Sequence, residues 1–135
     1  PIDSDSALQH KFKSATIAQS DLVGFTQLAS TRPPEDVVEF IGELFGLFDA
    51  LTDKFQVYKI ETVGDAYIAG QAGPPLTEQN SPISVVRCAL GMVMATHRWS
   101  ASRGEVISCR VGVQTGPCVG GVVGCDMQRY HLFGE

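Results

Sequence analysis

Apolar and polar positions along the chain change period several times, and each change marks an element. From Ser14 to Val23 the run SATIAQSDLV alternates with the two-residue period of a strand. Gly24 breaks that run, and FTQLAS (Phe25 to Ser30) opens a short helix. Pro33 and Pro34 punctuate, and Glu35 to Phe55 then reads as a long helix. Its apolar residues Val37, Ile41, Leu44, Phe48, Leu51 and Phe55 step by four and three, the period of one helical face. Phe40 and Leu47 widen the face, and so broad a stripe predicts contact on more than one side, a second subunit included.

The period returns to two in VYKIET (Val57 to Thr62) and again from Ala66 to Gly70, with Val63-Gly64-Asp65 as a tight turn between. Gly73 to Asn80 is a loop rich in Gly, Pro and polar residues. Ser81-Pro82 is a helix start, a capping residue followed by a proline in the first turn. Ile83, Val86, Leu90, Val93 and His97 share one face of that helix, which should end near Ala101–Gly104. Val106 to Val113 reads as a strand, Thr115-Gly116-Pro117 as an interruption, and Cys118 to Val123 as a continuation; a further strand begins at Arg129. The order β-α-α-β-β-α-β predicts an α+β fold, an antiparallel-rich sheet with helices packed on one face. Residues 1–13 are expected to be a flexible lead-in to a single domain spanning 14–135.

Composition narrows the function classes. Of 135 residues 44% are hydrophobic, enough for a packed core, which sets disorder aside. A net charge of −5 argues against a basic nucleic-acid surface, although a nucleotide remains compatible if metal ions screen its phosphates. No apolar run approaches the roughly 20 residues that cross a bilayer, and Pro1 to Lys13 lacks a signal-peptide core. A cytoplasmic domain is expected, with membrane attachment only through other parts of a parent protein. Cys88, Cys109, Cys118 and Cys125 match no paired-ligand spacing and read as free buried thiols; a zinc site from Cys118, Cys125 and His131 would lack a fourth ligand.

Two carboxylates stand beside backbone turns. Asp21 ends the first strand, and Gly24, Phe25 and Thr26 follow at a helix N-terminus, where N–H groups and partial positive charge suit phosphate. Asp65 lies in the turn of the central hairpin. If strand and hairpin are neighbours the two carboxylates converge and would share a proton or a cation, magnesium being the natural one. By spacing alone the pair reads more readily as a capping aspartate and a turn aspartate than as a metal site.

Four segments, in order, resemble one family. Ser20-Asp21-Leu22-Val23-Gly24-Phe25-Thr26 resembles the first metal motif of class III adenylate and guanylate cyclases, and Tyr58 to Tyr67 (YKIETVGDAY) their central hairpin. Arg110 to Pro117 (RVGVQTGP) with Gly121 to Gly124 (GVVG) resembles the next strand and turn, and Arg129 to Gly134 (RYHLFG) the strand that reads the base. The resemblance covers residues 14 to 135 and implies a ferredoxin-like cyclase homology domain. It implies that Asp21, Asp65 and the backbone carbonyl of Leu22 hold two Mg²⁺ or Mn²⁺ ions. It implies that the amides of Gly24, Phe25 and Thr26, with Arg110, bind the phosphates. Glu61 and His131 would read the base. Members of the family work as dimers with interfacial sites, which implies a homodimer, or a heterodimer with a paralogous domain. It further implies a C-terminal part beyond Glu135, carrying an Asn, an Arg and a Lys, without which residues 1–135 should be poorly active.

Base chemistry favours GTP. An ionised Glu61 only accepts hydrogen bonds, which suits the N1 and N2 donors of guanine, and His131 can donate to O6. Guanylate cyclases usually carry Glu and Cys at these places and adenylate cyclases Lys with Asp or Thr. Here the Glu is kept and His131 replaces the Cys. The expectation is therefore a guanylate cyclase, with an ATP-using cyclase or a non-catalytic pseudo-cyclase subunit as alternatives. No GxxxxGK[ST] run is present, which excludes a P-loop NTPase.

Overall fold

A computed structural model describes residues 10–120 and 125–127, with side chains from 11 to 118. The elements are β1 (His10–Val23), α1 (Phe25–Thr31), α2 (Pro34–Phe55), β2 (Tyr58–Val63), β3 (Ala66–Gln71), α3 (Pro82–Arg103), β4 (Ser108–Gly120) and β5 (Cys125–Met127). The strands form one antiparallel sheet in the order β2-β3-β1-β4-β5. The predicted α+β class and the strand and helix order hold. The first strand begins at His10 rather than Ser14.

Helix ends follow local chemistry. Pro34 opens α2 where its missing N–H costs nothing, Glu35 and Asp36 sit at the positive end of the helix dipole, and Gln56 closes it in the left-handed region (φ 56°). Ser81 takes the N-cap position of α3, although its side chain makes no capping bond, and Gly104 (φ 69°) ends the helix.

The predicted interruption at Thr115–Pro117 is absent, for β4 runs through it. Pairing between β1 and β4 passes from Ala15↔Gly116 to Phe12↔Cys118, so Lys13 and Ser14 oppose Pro117 alone. A proline cannot donate to a ladder, and a bulge in the facing strand removes the demand for a donor.

Both long helices pack on one face of the sheet. Leu44 and Phe48 of α2, Val85 and Met92 of α3, and Ala18, Tyr67 and Ala69 of the sheet are almost wholly buried there. Phe45, Phe48 and Tyr67 meet ring to ring, with centroids 5.3–5.9 Å apart. Gln71, buried in the same layer, donates to Phe55 O and Gln56 O and accepts from Ser81 N. One side chain thus ties the end of α2, β3 and the start of α3.

The face expected for α3 is corrected. Ile83, Val86, Leu90 and Val93 are exposed, between 38% and 60%, and His97 with them. The sheet side carries Val85, Cys88, Ala89, Met92, Ala95, Thr96 and Trp99 instead. The buried face mixes small residues with Met92 and Trp99, and its small members escape a count of large aliphatic side chains. At Gly91 a Cβ would meet Leu51 Cδ2 of α2 at 2.8 Å. On α2 the stripe is correct in Leu44 and Phe48, omits buried Phe45, and includes Leu47, which is exposed.

Candidate active site

Alternation along β1 decides what faces where. Ala18, Ser20 and Leu22 point into the helix layer and are buried, whereas Ile17, Gln19 and Asp21 lie on the opposite face. Since the side chain of Leu22 is packed in the core, only its backbone can face a ligand. Asp21 stands directly across from Arg110 in the β1–β4 register, and Arg110 Nη2 donates to Asp21 Oδ2 at 2.7 Å. Both side chains remain about half exposed.

The hairpin brings the second carboxylate. Val63 pairs with Ala66, leaving Gly64 and Asp65 as a two-residue loop, with Gly64 at φ 60° in its first position. Tyr67 pairs with Ser20, so Asp65 lies near the end of β1 that carries Asp21. Partial burial raises the pKa of the Asp65 carboxyl above the usual range, and the neighbouring Asp21 charge adds to the rise. Two carboxylates so placed resist joint ionisation, and a shared cation relieves them. The site therefore fits a divalent ion bound by one or two carboxylates with phosphate oxygens completing its shell. Among the described residues no group of three or more His, Cys, Asp or Glu side chains forms an all-protein metal cage.

The turn into α1 follows at once. Gly24 is the N-cap of α1 at φ 88°, and Leu28 N to Gly24 O (3.1 Å) is the first bond of the helix. The amides before Leu28 thus have no partner within the helix. A feature hidden from the sequence reading supports this turn from behind: a Cβ on Gly24 would meet Val106 O at 2.8 Å. The α3–β4 connection carrying Val106 is clamped to the end of α1 by Arg32, which donates to both Glu105 carboxylate oxygens at 2.7 Å. A groove of about 800 Å³ runs there, lined by Gly24, Arg32, His97 and Glu105 among others; Asp21, Asp65 and Glu61 are not part of its lining.

Glu61 is exposed on edge strand β2, opposite Ile68, and β3 separates it from β1. The structure thus unites Asp21, Asp65 and Arg110 beside Gly24, Phe25 and Thr26 and leaves Glu61 apart. His131, Gly121–Gly124 and the RYHLFG segment lie outside the described residues. Cys88 and Cys109 are free, with thiols pushed up to about 11 by burial. Cys118 contradicts the free-thiol expectation, being disulfide-bonded. It is then no thiolate for the zinc alternative, and a spacing argument along the chain cannot see a bond made by folding.

Residues 8–135 match the adenylate and guanylate cyclase catalytic domain. This chain belongs to that family. The cyclase domain is 40% identical over 126 residues to atrial natriuretic peptide receptor 2 of Homo sapiens, covering 92% of this chain and 12% of that protein. It is 37% identical to retinal guanylyl cyclase 1 of Homo sapiens, over 92% and 11%. The chain therefore spans about an eighth of the length of these curated relatives. Among solved structures it resembles the catalytic core of a rhodopsin-guanylyl cyclase with converted specificity in complex with ATPαS (TM-score 0.77, 28% identity, 87% of this chain and 66% of that one). It also resembles the guanylate cyclase domain of RhGC from Catenaria anguillulae in complex with GTP (TM-score 0.71, 28% identity, 81% and 59%). The cyclase domain shows no helix long and apolar enough to cross a membrane among the described residues.

Proposed function

We propose that this cyclase domain converts GTP to 3′,5′-cyclic GMP and pyrophosphate. The observation that carries the reading is the convergence of Asp21 and Asp65 on the open sheet face, beside the α1 turn and Arg110. Asp21, Asp65 and the Leu22 carbonyl would hold two divalent ions. Bound there, Mg²⁺ or Mn²⁺ supplies Lewis-acid activation of the ribose 3′-hydroxyl and neutralises charge on the triphosphate. The amides of Gly24, Phe25 and Thr26 and the Arg110 guanidinium bind phosphate oxygens and align the α-phosphorus for attack by the 3′-oxygen, with pyrophosphate leaving in line. Glu61 accepts from guanine N1 and N2, and a ring N–H of His131 donates to O6. The exposed edge position of Glu61 supports a dimer in which one subunit holds the ions and its partner reads the base.

Turnover of the full-length protein with GTP and ATP, in Mg²⁺ and in Mn²⁺, tests the reading. Asp65→Ala should abolish cyclisation while far-UV circular dichroism is unchanged; near-normal turnover in that variant defeats the metal assignment. The Glu61→Lys, His131→Asp double variant should lose at least about tenfold in kcat/KM for GTP and shift toward ATP, because a donor then faces guanine's N1 and N2 donors and an acceptor faces its O6. An unchanged GTP to ATP ratio defeats the base assignment, and a wild-type protein that prefers ATP makes the domain an adenylate cyclase.

A further inference from the structure

We propose that Arg110 is an internal counter-cation of the metal site, which a divalent ion must displace from Asp21 and which passes from that carboxylate to the phosphates. The inference rests on the proposed two-metal site and adds to Arg110 a role opposite in sign to phosphate binding. Its basis is positional. Arg110 and Asp21 are direct cross-strand partners, so backbone pairing fixes their proximity. The bonded oxygen, Asp21 Oδ2, belongs to a carboxylate the metal needs, and the 2.7 Å contact places a charge-assisted hydrogen bond on it.

The other ion pairs among the described residues have different work. Arg32–Glu105 clamps the α3–β4 connection, Arg103 pairs with Glu39 and Glu43 between the long helices, and Lys59 pairs with Asp49. Only the pair formed by Asp21 and Arg110 among them involves a proposed metal ligand. A unit positive charge held against that carboxylate lowers its attraction for a free cation through charge repulsion and competition for one oxygen. Both side chains are about half exposed, so the pair is weak enough to open. A nucleotide triphosphate offers the guanidinium a richer acceptor set, so the cost of displacement vanishes when metal and nucleotide arrive together. The consequence is coupling: Arg110 penalises metal without nucleotide and favours metal with it.

The test is Mn²⁺ binding to the full-length protein, read by water-proton relaxation and by electron paramagnetic resonance of free Mn²⁺. Arg110→Met should bind Mn²⁺ alone at least about threefold more tightly than wild type, the factor expected for releasing an exposed ion pair. The same variant should bind Mn²⁺ with α,β-methylene GTP, whose α–β bridge cannot leave, more weakly. A merely structural arginine would lower both affinities, so the opposite signs distinguish the two roles. Arg110→Lys keeps the charge and should stay within about twofold of wild type for Mn²⁺ alone. Should Met disturb the strand, Arg110→Gln must give the same tightening. Affinity for Mn²⁺ alone that rises less than threefold, or falls, overturns the proposal. Asp21→Asn is the separate control, expected to remove this Mn²⁺ site from wild type and Arg110→Met alike. Retained binding in Asp21→Asn overturns the metal site itself, and the proposed function with it.

Discussion

Replacing Gly24 by alanine tests how the turn into α1 is built. Gly24 holds φ at 88°, and its missing side chain faces Val106 O, which an added Cβ would approach to 2.8 Å. A left-handed backbone costs an L-residue about 1–2 kcal/mol. The forced contact adds about 1–3 kcal/mol, because its neighbour is a backbone carbonyl on a connection held by Arg32 and Glu105. Gly24→Ala should therefore destabilise the domain by about 2–5 kcal/mol. Gly64→Ala is the matched control. Its φ is 60°, yet nothing lies within 4 Å of the added Cβ, so only the backbone cost of about 1–2 kcal/mol applies. Urea unfolding of both variants at one pH, followed by far-UV circular dichroism, yields the two free energies. Equal losses, or a loss at Gly24 below about 1 kcal/mol, would refute the claim that Val106 supports the turn. The same comparison has a catalytic side. Displacing the turn moves the amides of Phe25 and Thr26, so Gly24→Ala should lose more in kcat/KM than its unfolding explains at temperatures where it stays folded.

Burial and the Asp21 charge raise the folded-state pKa of Asp65, so its protonated form is favoured on folding and stability falls as pH rises through that pKa. Asp65→Asn should accordingly raise Tm at neutral pH without added divalent ions, while its Tm at acid pH matches wild type; a lowered neutral Tm would contradict the crowding of the two carboxylates. Phe48→Ala removes a fully buried ring that contacts Phe45 and Tyr67, and should cost about 3–5 kcal/mol in urea unfolding; less than about 1 kcal/mol would mean that the ring is not enclosed as described.

Much of the candidate site's arrangement was legible in the sequence because it is local. Asp21 sits three residues before a glycine that must turn, and Asp65 follows another, so both carboxylates are tied to sharp backbone features. Strand alternation in SATIAQSDLV correctly separates Leu22 from Asp21, and the α2 period correctly picks Leu44 and Phe48. The misses are cases where composition and packing disagree. Ile83, Val86, Leu90 and Val93 look like a core face by hydrophobicity, yet the buried face joins small Cys88, Ala89 and Ala95 to large Met92 and Trp99, and the small residues carry little hydrophobic signal. Thr115–Pro117 looks like a break by residue type, yet a bulge in the partner strand accommodates the proline.

The sequence by itself determined the α+β class and the ordered cyclase motifs, since these depend on local period and chemical identity. Tertiary structure alone decided that Asp21 faces Arg110 across two strands, that Asp65 crowds Asp21, and that Val106 stands behind Gly24. Each joins residues 44 to 89 positions apart, and nothing in a local period reports on such distances. Strand order and register set them, and these follow from the packing of the whole sheet against its helices.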